Sequence, residues 1–64
     1  MNPDRVSRLI ESELSRASEP ELLTCLEAAE RLLQNCIRAC PEEDHLRYSE
    51  LLNRVRSRIS DEMT

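Results

Sequence analysis

Apolar side chains recur at alternating spacings of four and three from Leu22 to Cys40: Leu22, Leu26, Ala29, Leu33, Cys36 and Cys40. That spacing holds all of them on one stripe of an α-helix. Leu23, Leu32 and Ile37 flank the stripe and widen it into a broad apolar face. Such a face is unstable alone in water, so other helices must cover it. No segment alternates apolar and polar residues over a strand length. The expected fold class is therefore all-α.

The 64 residues form one domain, 1–64, near the lower size limit for folding without help. Gly, Phe and Trp are absent, and Tyr48 is the single aromatic residue. Leu carries most of the core. A domain of this size rarely draws more than about 3–5 kcal/mol from one core, so self-association or a partner is physically favoured. Without Gly, no connection can use an inexpensive positive-φ residue, and helix ends must rely on Pro, Asn, Ser or extended linkers.

Prolines place the breaks. Asn2 suits an N-cap and Pro3 the first helical position, so helix 1 is expected over about 3–17. Val6, Leu9, Ile10 and Leu14 form its apolar stripe, and Asp4 can pair with Arg8. Ser18, followed three residues later by Glu21 with Pro20 between, reads as a capping box. Helix 2 then spans about 19–40, roughly 30 Å against about 22 Å for helix 1. Pro41 ends it, and Glu42, Glu43 and Asp44 place acids at the positive dipole end of helix 3, about 42–60. Tyr48, Leu52, Val55 and Ile59 form the third seam, and Asp61 to Thr64 a fraying tail. Helices 2 and 3 match in length and seam spacing, which predicts an antiparallel hairpin with the shorter helix 1 packed on it. Leu26, Leu33, Leu52 and Val55 should be its most buried residues.

The charge pattern narrows the function classes. All nine basic residues are Arg, and the net charge of −4 argues against general nucleic-acid or anionic-membrane binding. Met1-Asn2-Pro3-Asp4-Arg5 has no apolar run after it, and no segment is long and apolar enough to span a bilayer. Cys25, Cys36 and Cys40 are odd in number and sit at helical positions, which suits a reduced, cytoplasmic chain.

Few residues offer chemistry. Cys36, Cys40 and His45 could hold zinc, but their spacing matches no common zinc motif and Pro41 intervenes. The simpler reading is that the cysteines are small buried hydrophobes and His45 a rim residue. Acidic residues are distributed as first-turn caps and as partners in Glu27–Arg31, Glu43–Arg47 and Glu50–Arg54 pairs. Nothing resembles a paired-carboxylate site, so no enzyme activity, metal or cofactor is expected. Arg47, Arg54 and Arg58 share a stripe on helix 3 that could face phosphates, or could be a solvated face balanced by Glu43 and Glu50.

The acidic, Leu-rich helix 2, the Ala39-Cys40-Pro41-Glu42 break and Tyr48 early in the last helix carry a family resemblance over residues 22–60. The layout resembles the small helical-hairpin needle-subunit co-chaperones of bacterial type III secretion. The N-terminal segment is longer than in that pattern and the last helix shorter. The resemblance implies a partner: a larger helical-repeat chaperone that holds the needle subunit.

The expected function is thus a non-enzymatic adaptor or co-chaperone whose apolar face is completed by another chain, either a second copy or a larger chaperone. The alternatives are a nucleic-acid regulator using the Arg stripe, or a plain homo-oligomeric bundle. Helix 1 is too short to cover the whole hairpin. Some of Leu22, Leu23, Leu32, Ile37, Leu46 and Leu51 should then stay exposed as a contact surface, in a dimer or heteromer formed mainly through helices 2 and 3.

Overall fold

The computed structural model describes residues 2–64. It contains helices α1 (Pro3–Arg16), α2 (Glu19–Ala39) and α3 (His45–Met63), with a single 3-10 turn at Glu42–Asp44. Among the described residues there is no strand. α2 and α3 pack as the hairpin, and α1 lies on both. The fold class expected from the spacing is the one observed.

Each helix start and stop has a local cause. Asn2 is extended, and its Oδ1 accepts the Arg5 backbone N–H at 2.8 Å. Pro3 occupies the first turn, where its missing N–H has no partner to lose. α1 stops at Arg16 because Pro20 cannot donate to the Arg16 carbonyl and its ring would collide with it. The Ala17 N–H instead donates to Glu13 O and Leu14 O, at 3.1 and 3.3 Å, and the chain turns extended. Pro41 ends α2 in the same way and leaves the Ile37 carbonyl without a backbone donor. The Cys40 thiol lies 3.7 Å from that oxygen and donates weakly to it. No described residue has a positive φ, in keeping with a chain without Gly.

Three local expectations need correction. The Ser18 side chain makes no capping bond to α2; its carbonyl accepts the Glu21 N–H at 2.9 Å instead. The residues after Pro41 wind first as a 3-10 turn, closed by Asp44 N–H to Pro41 O at 2.9 Å, and α3 proper begins at His45 rather than at residue 42. Tight turns of this kind are frequent at helix starts. The end of α3 extends past Ser60 to Met63. Thr64 holds it there, its hydroxyl donating to Ser60 O at 2.9 Å and Asp61 O at 3.1 Å. Asn2→Ala should therefore cost about 1 kcal/mol of stability. Ser18→Ala should stay within about 0.5 kcal/mol, as for other exposed positions. Thermal melts of the two variants side by side check this contrast.

The core is one cluster drawn from all three helices: Val6 and Ile10; Leu26, Ala29 and Leu33; Tyr48, Leu52 and Val55. The four residues expected to be most buried, Leu26, Leu33, Leu52 and Val55, all belong to it. Leu22, Cys36 and Cys40, at the ends of the α2 stripe, are only half-buried. For Cys36 and Cys40 the reason is length: α1 has 14 residues and α2 has 21, or about 21 against 32 Å.

Candidate functional site

α1 rests on the α2–α3 hairpin and leaves a furrow along each flank. The furrow towards α2 is lined by Leu9, Ile10 and Leu14 from α1 and by Cys25, Ala28 and Leu32 from α2, with Ala29 also contributing. Leu9 is 46% exposed and Leu32 36%. Ile10 points into the core; Leu9, one residue earlier, is rotated about 100° around the helix axis and so stands at the rim. Cys25 and Ala28 are small, so a hollow remains between the two leucines. Glu13 is the charged residue in the lining, and its carboxylate pairs with Arg16 at 2.8 Å.

The furrow towards α3 differs in its rim. Its floor is Ile10, Leu14, Leu51 and Val55, while Glu11, Arg54 and Arg58 stand above it. Nearer the start of α1, Asp4, Arg47, Glu50 and Arg54 gather in a polar hollow. Arg47 forms an ion pair there with Asp4. The Arg stripe thus faces α1, interleaved with the carboxylates of Asp4, Glu11 and Glu50. Such alternation weakens the field that phosphate binding needs.

The ion pairs read from i,i+4 spacing are not the ones formed. Among the described residues the pairs are Arg16–Glu13, Arg47–Asp4 and Arg56–Glu30. The last two join different helices, with Arg56 Nε 2.9 Å from Glu30 Oε2. Asp4 turns to Arg47 rather than Arg8, and Arg47 to Asp4 rather than Glu43. Exposed pairs of either kind contribute little, so packing of the helices decides which carboxylate an arginine meets.

The six apolar residues expected as a contact surface differ in exposure. Leu22, Ile37 and Leu51 pack against the core cluster, and Leu23 is half-buried. Leu46 is 70% exposed and lies in neither furrow. Leu32 alone of the six lines the α1–α2 furrow, together with Leu9 of the helix 1 stripe. Of the six, Leu32 on α2 and Leu46 on α3 are exposed, and the furrow that Leu32 lines runs between α1 and α2. Leu9 was detectable as the edge of a stripe centred on Val6 and Ile10. Ala28 gave no signal, because its role is to be small beside two leucines.

Cys36 and Cys40 lie at the far end of the hairpin; all three cysteines are free thiols, and each is half-buried rather than buried. Among the described residues no group of three or more His, Cys, Asp or Glu converges as metal ligands would. Cys36, Cys40 and His45 are not brought together as a zinc site. Burial, followed by the nearby Asp44 carboxylate, pushes the Cys40 thiol up from its ordinary pKa. A raised pKa leaves less thiolate at neutral pH and makes the thiol a poorer nucleophile. Tyr48 is buried beneath this group, and burial raises its phenol pKa most; a hydrogen bond to the Cys36 side chain contributes too.

No helix among the described residues is long and apolar enough to cross a membrane. Compared with protein-family models, curated proteins and solved structures, the chain finds no match.

Proposed function

We propose that this chain is a non-enzymatic, protein-binding adaptor that acts through the apolar furrow between α1 and α2. One observation carries the reading. Leu9 and Leu32 stand exposed on either side of a hollow floored by Ala28, Ala29 and Cys25. Small residues between larger ones let a partner helix lay apolar side chains into the groove. The two groups with shifted pKa values, Cys40 and Tyr48, are both held in their neutral forms and lie outside this furrow. That arrangement suits a docking face better than a reaction site. The likeness to needle-subunit co-chaperones gives the finer version: a cytoplasmic co-chaperone whose partner is a larger helical-repeat chaperone of type III secretion.

The test is co-purification from the native cell with the tagged full chain. Leu9→Glu and Leu32→Glu should each lose the partner chaperone, because a carboxylate in an apolar contact is desolvated without compensation. Leu46→Glu should retain it. The association of the parent should change little with salt, since apolar burial drives it. Retention of the chaperone by Leu9→Glu and Leu32→Glu, or a steep loss with salt, overturns the reading.

A further inference from the structure

We propose that Cys36 and Cys40 form a two-thiolate site for copper(I) at the turn end of the α2–α3 hairpin. The first argument is spacing. The Cys40 N–H donates to Cys36 O at 2.8 Å, so the last helical bond of α2 is closed and the one-turn separation holds up to the cap. Side chains one turn apart have Cβ atoms about 5–6 Å from each other. A disulfide needs about 3.5–4.5 Å, so this pair is too wide to oxidise without moving backbone. It suits an ion held between the sulfurs. A metal–thiolate bond is about 2.3 Å, as for zinc, so two sulfurs on one ion lie at most about 4.6 Å apart. Rotation about the two Cα–Cβ bonds brings the sulfurs within that range.

The surroundings select the ion. Cys36 and Cys40 are half-buried and pack against the core cluster, with Tyr48 buried beneath them. The Cys40 thiol turns back to Ile37 O at 3.7 Å, a weak bond that is easily given up. A structural zinc site requires four protein ligands. Among the described residues no group of three or more His, Cys, Asp or Glu converges in that way. Copper(I) is soft, and thiolates select it. The core cluster offers this ion apolar packing rather than further ligands, which suits a low coordination number.

The third argument is charge. The ionisable neighbours acting on Cys40 are Asp44 and Cys36, and those acting on Tyr48 are Cys36, Asp44 and Cys40. All of them are acids, so a cation placed among them is attracted by each. The Tyr48 hydroxyl is bonded to the Cys36 side chain. As donor it orients that sulfur and offsets the negative charge that two thiolates leave on the bound ion. Such outer hydrogen bonds tune the affinity of metal sites. Binding is an exchange: two S–H bonds break, two Cu–S bonds form, two protons pass to solvent, and the copper stays copper(I). The site is separate from the α1–α2 furrow, whose cysteine is Cys25, so it stands or falls independently of the proposed docking.

Titration of the full chain with copper(I), kept reduced by ascorbate in the absence of oxygen, tests the proposal against a competing chromophoric copper(I) chelator. One ion per chain is expected. Cys36→Ser and Cys40→Ser should each lose it, and Cys25→Ser should keep it. Tyr48→Phe should keep the stoichiometry and weaken binding about tenfold, the low end for an outer-shell bond. Circular dichroism shows whether each variant is folded. Cys36→Ala and Cys40→Ala repeat the reading if a serine hydroxyl disturbs these half-buried positions. A parent that cedes all its copper to the chelator overturns the proposal. So does copper retained by the Cys36 and Cys40 variants, or lost equally from Cys25→Ser. One copper per two chains places the ion between copies and overturns it too, as does zinc held as tightly as copper(I).

Discussion

Leu33→Ala is expected to lower the unfolding free energy by about 2–5 kcal/mol, the range for deleting a buried leucine. Leu33 is fully buried in the middle of the α2 stripe. It belongs to the cluster built from Val6 and Ile10 on α1 and Leu52 and Val55 on α3. Removing it takes away transfer free energy and opens a cavity that three rigid helices close only in part. A domain of this size rarely has more than about 3–5 kcal/mol from its core, so much of the variant should be unfolded without denaturant. Urea unfolding followed by helical circular dichroism reads this directly. The companion Leu46→Ala, at a position 70% exposed, should shift stability by less than about 0.5 kcal/mol. Equal midpoints for Leu33→Ala and the parent would mean that α2 does not bury this stripe.

The stripe itself was legible because helical periodicity is a local property. Leu26, Ala29 and Leu33 could be assigned to the core from spacing alone, and they are buried. Pro20 and Pro41 were equally plain, since each removes a donor and blocks the carbonyl four residues back. What spacing does not contain is the rotation of α1 about its own axis. Val6, Leu9, Ile10 and Leu14 all look apolar in sequence, yet only Val6 and Ile10 are buried. The rotation that buries Val6 and Ile10 turns Leu9 out to the furrow. The same limit hid the Asp4–Arg47 pair, whose members stand 43 residues apart. Local rules favour i,i+4 partners because those are the neighbours a lone helix offers. A packed helix offers others. Ser18 illustrates a smaller gap: the capping-box residues are present, but the backbone carbonyl satisfies Glu21 and the hydroxyl makes no capping bond.

Tyr48 should be the other large contributor, and its effect should depend on pH. It is the single aromatic residue and is 2% exposed. Tyr48→Ala is expected to cost about 3–5 kcal/mol, as for other large buried rings. Tyr48→Phe keeps the ring and loses the hydrogen bond to Cys36, at about 1 kcal/mol. The titration separates the two contributions. Burial raises the phenol pKa in the folded chain, aided by Cys36, Asp44 and Cys40. In the unfolded chain the phenol ionises near pH 10. Above that pH the unfolded chain binds fewer protons than the folded one, so stability falls as pH rises. Below it, the contribution is fully present. Cys40, whose pKa is also raised, adds a fall of the same sign above its ordinary value of 9.0. The parent's urea midpoint should therefore drop in alkali in two overlapping steps. Tyr48→Phe should abolish the step above about pH 10 and keep the earlier one. If parent and Tyr48→Phe lose stability equally above that pH, the buried phenol is not what makes this bundle alkali-sensitive.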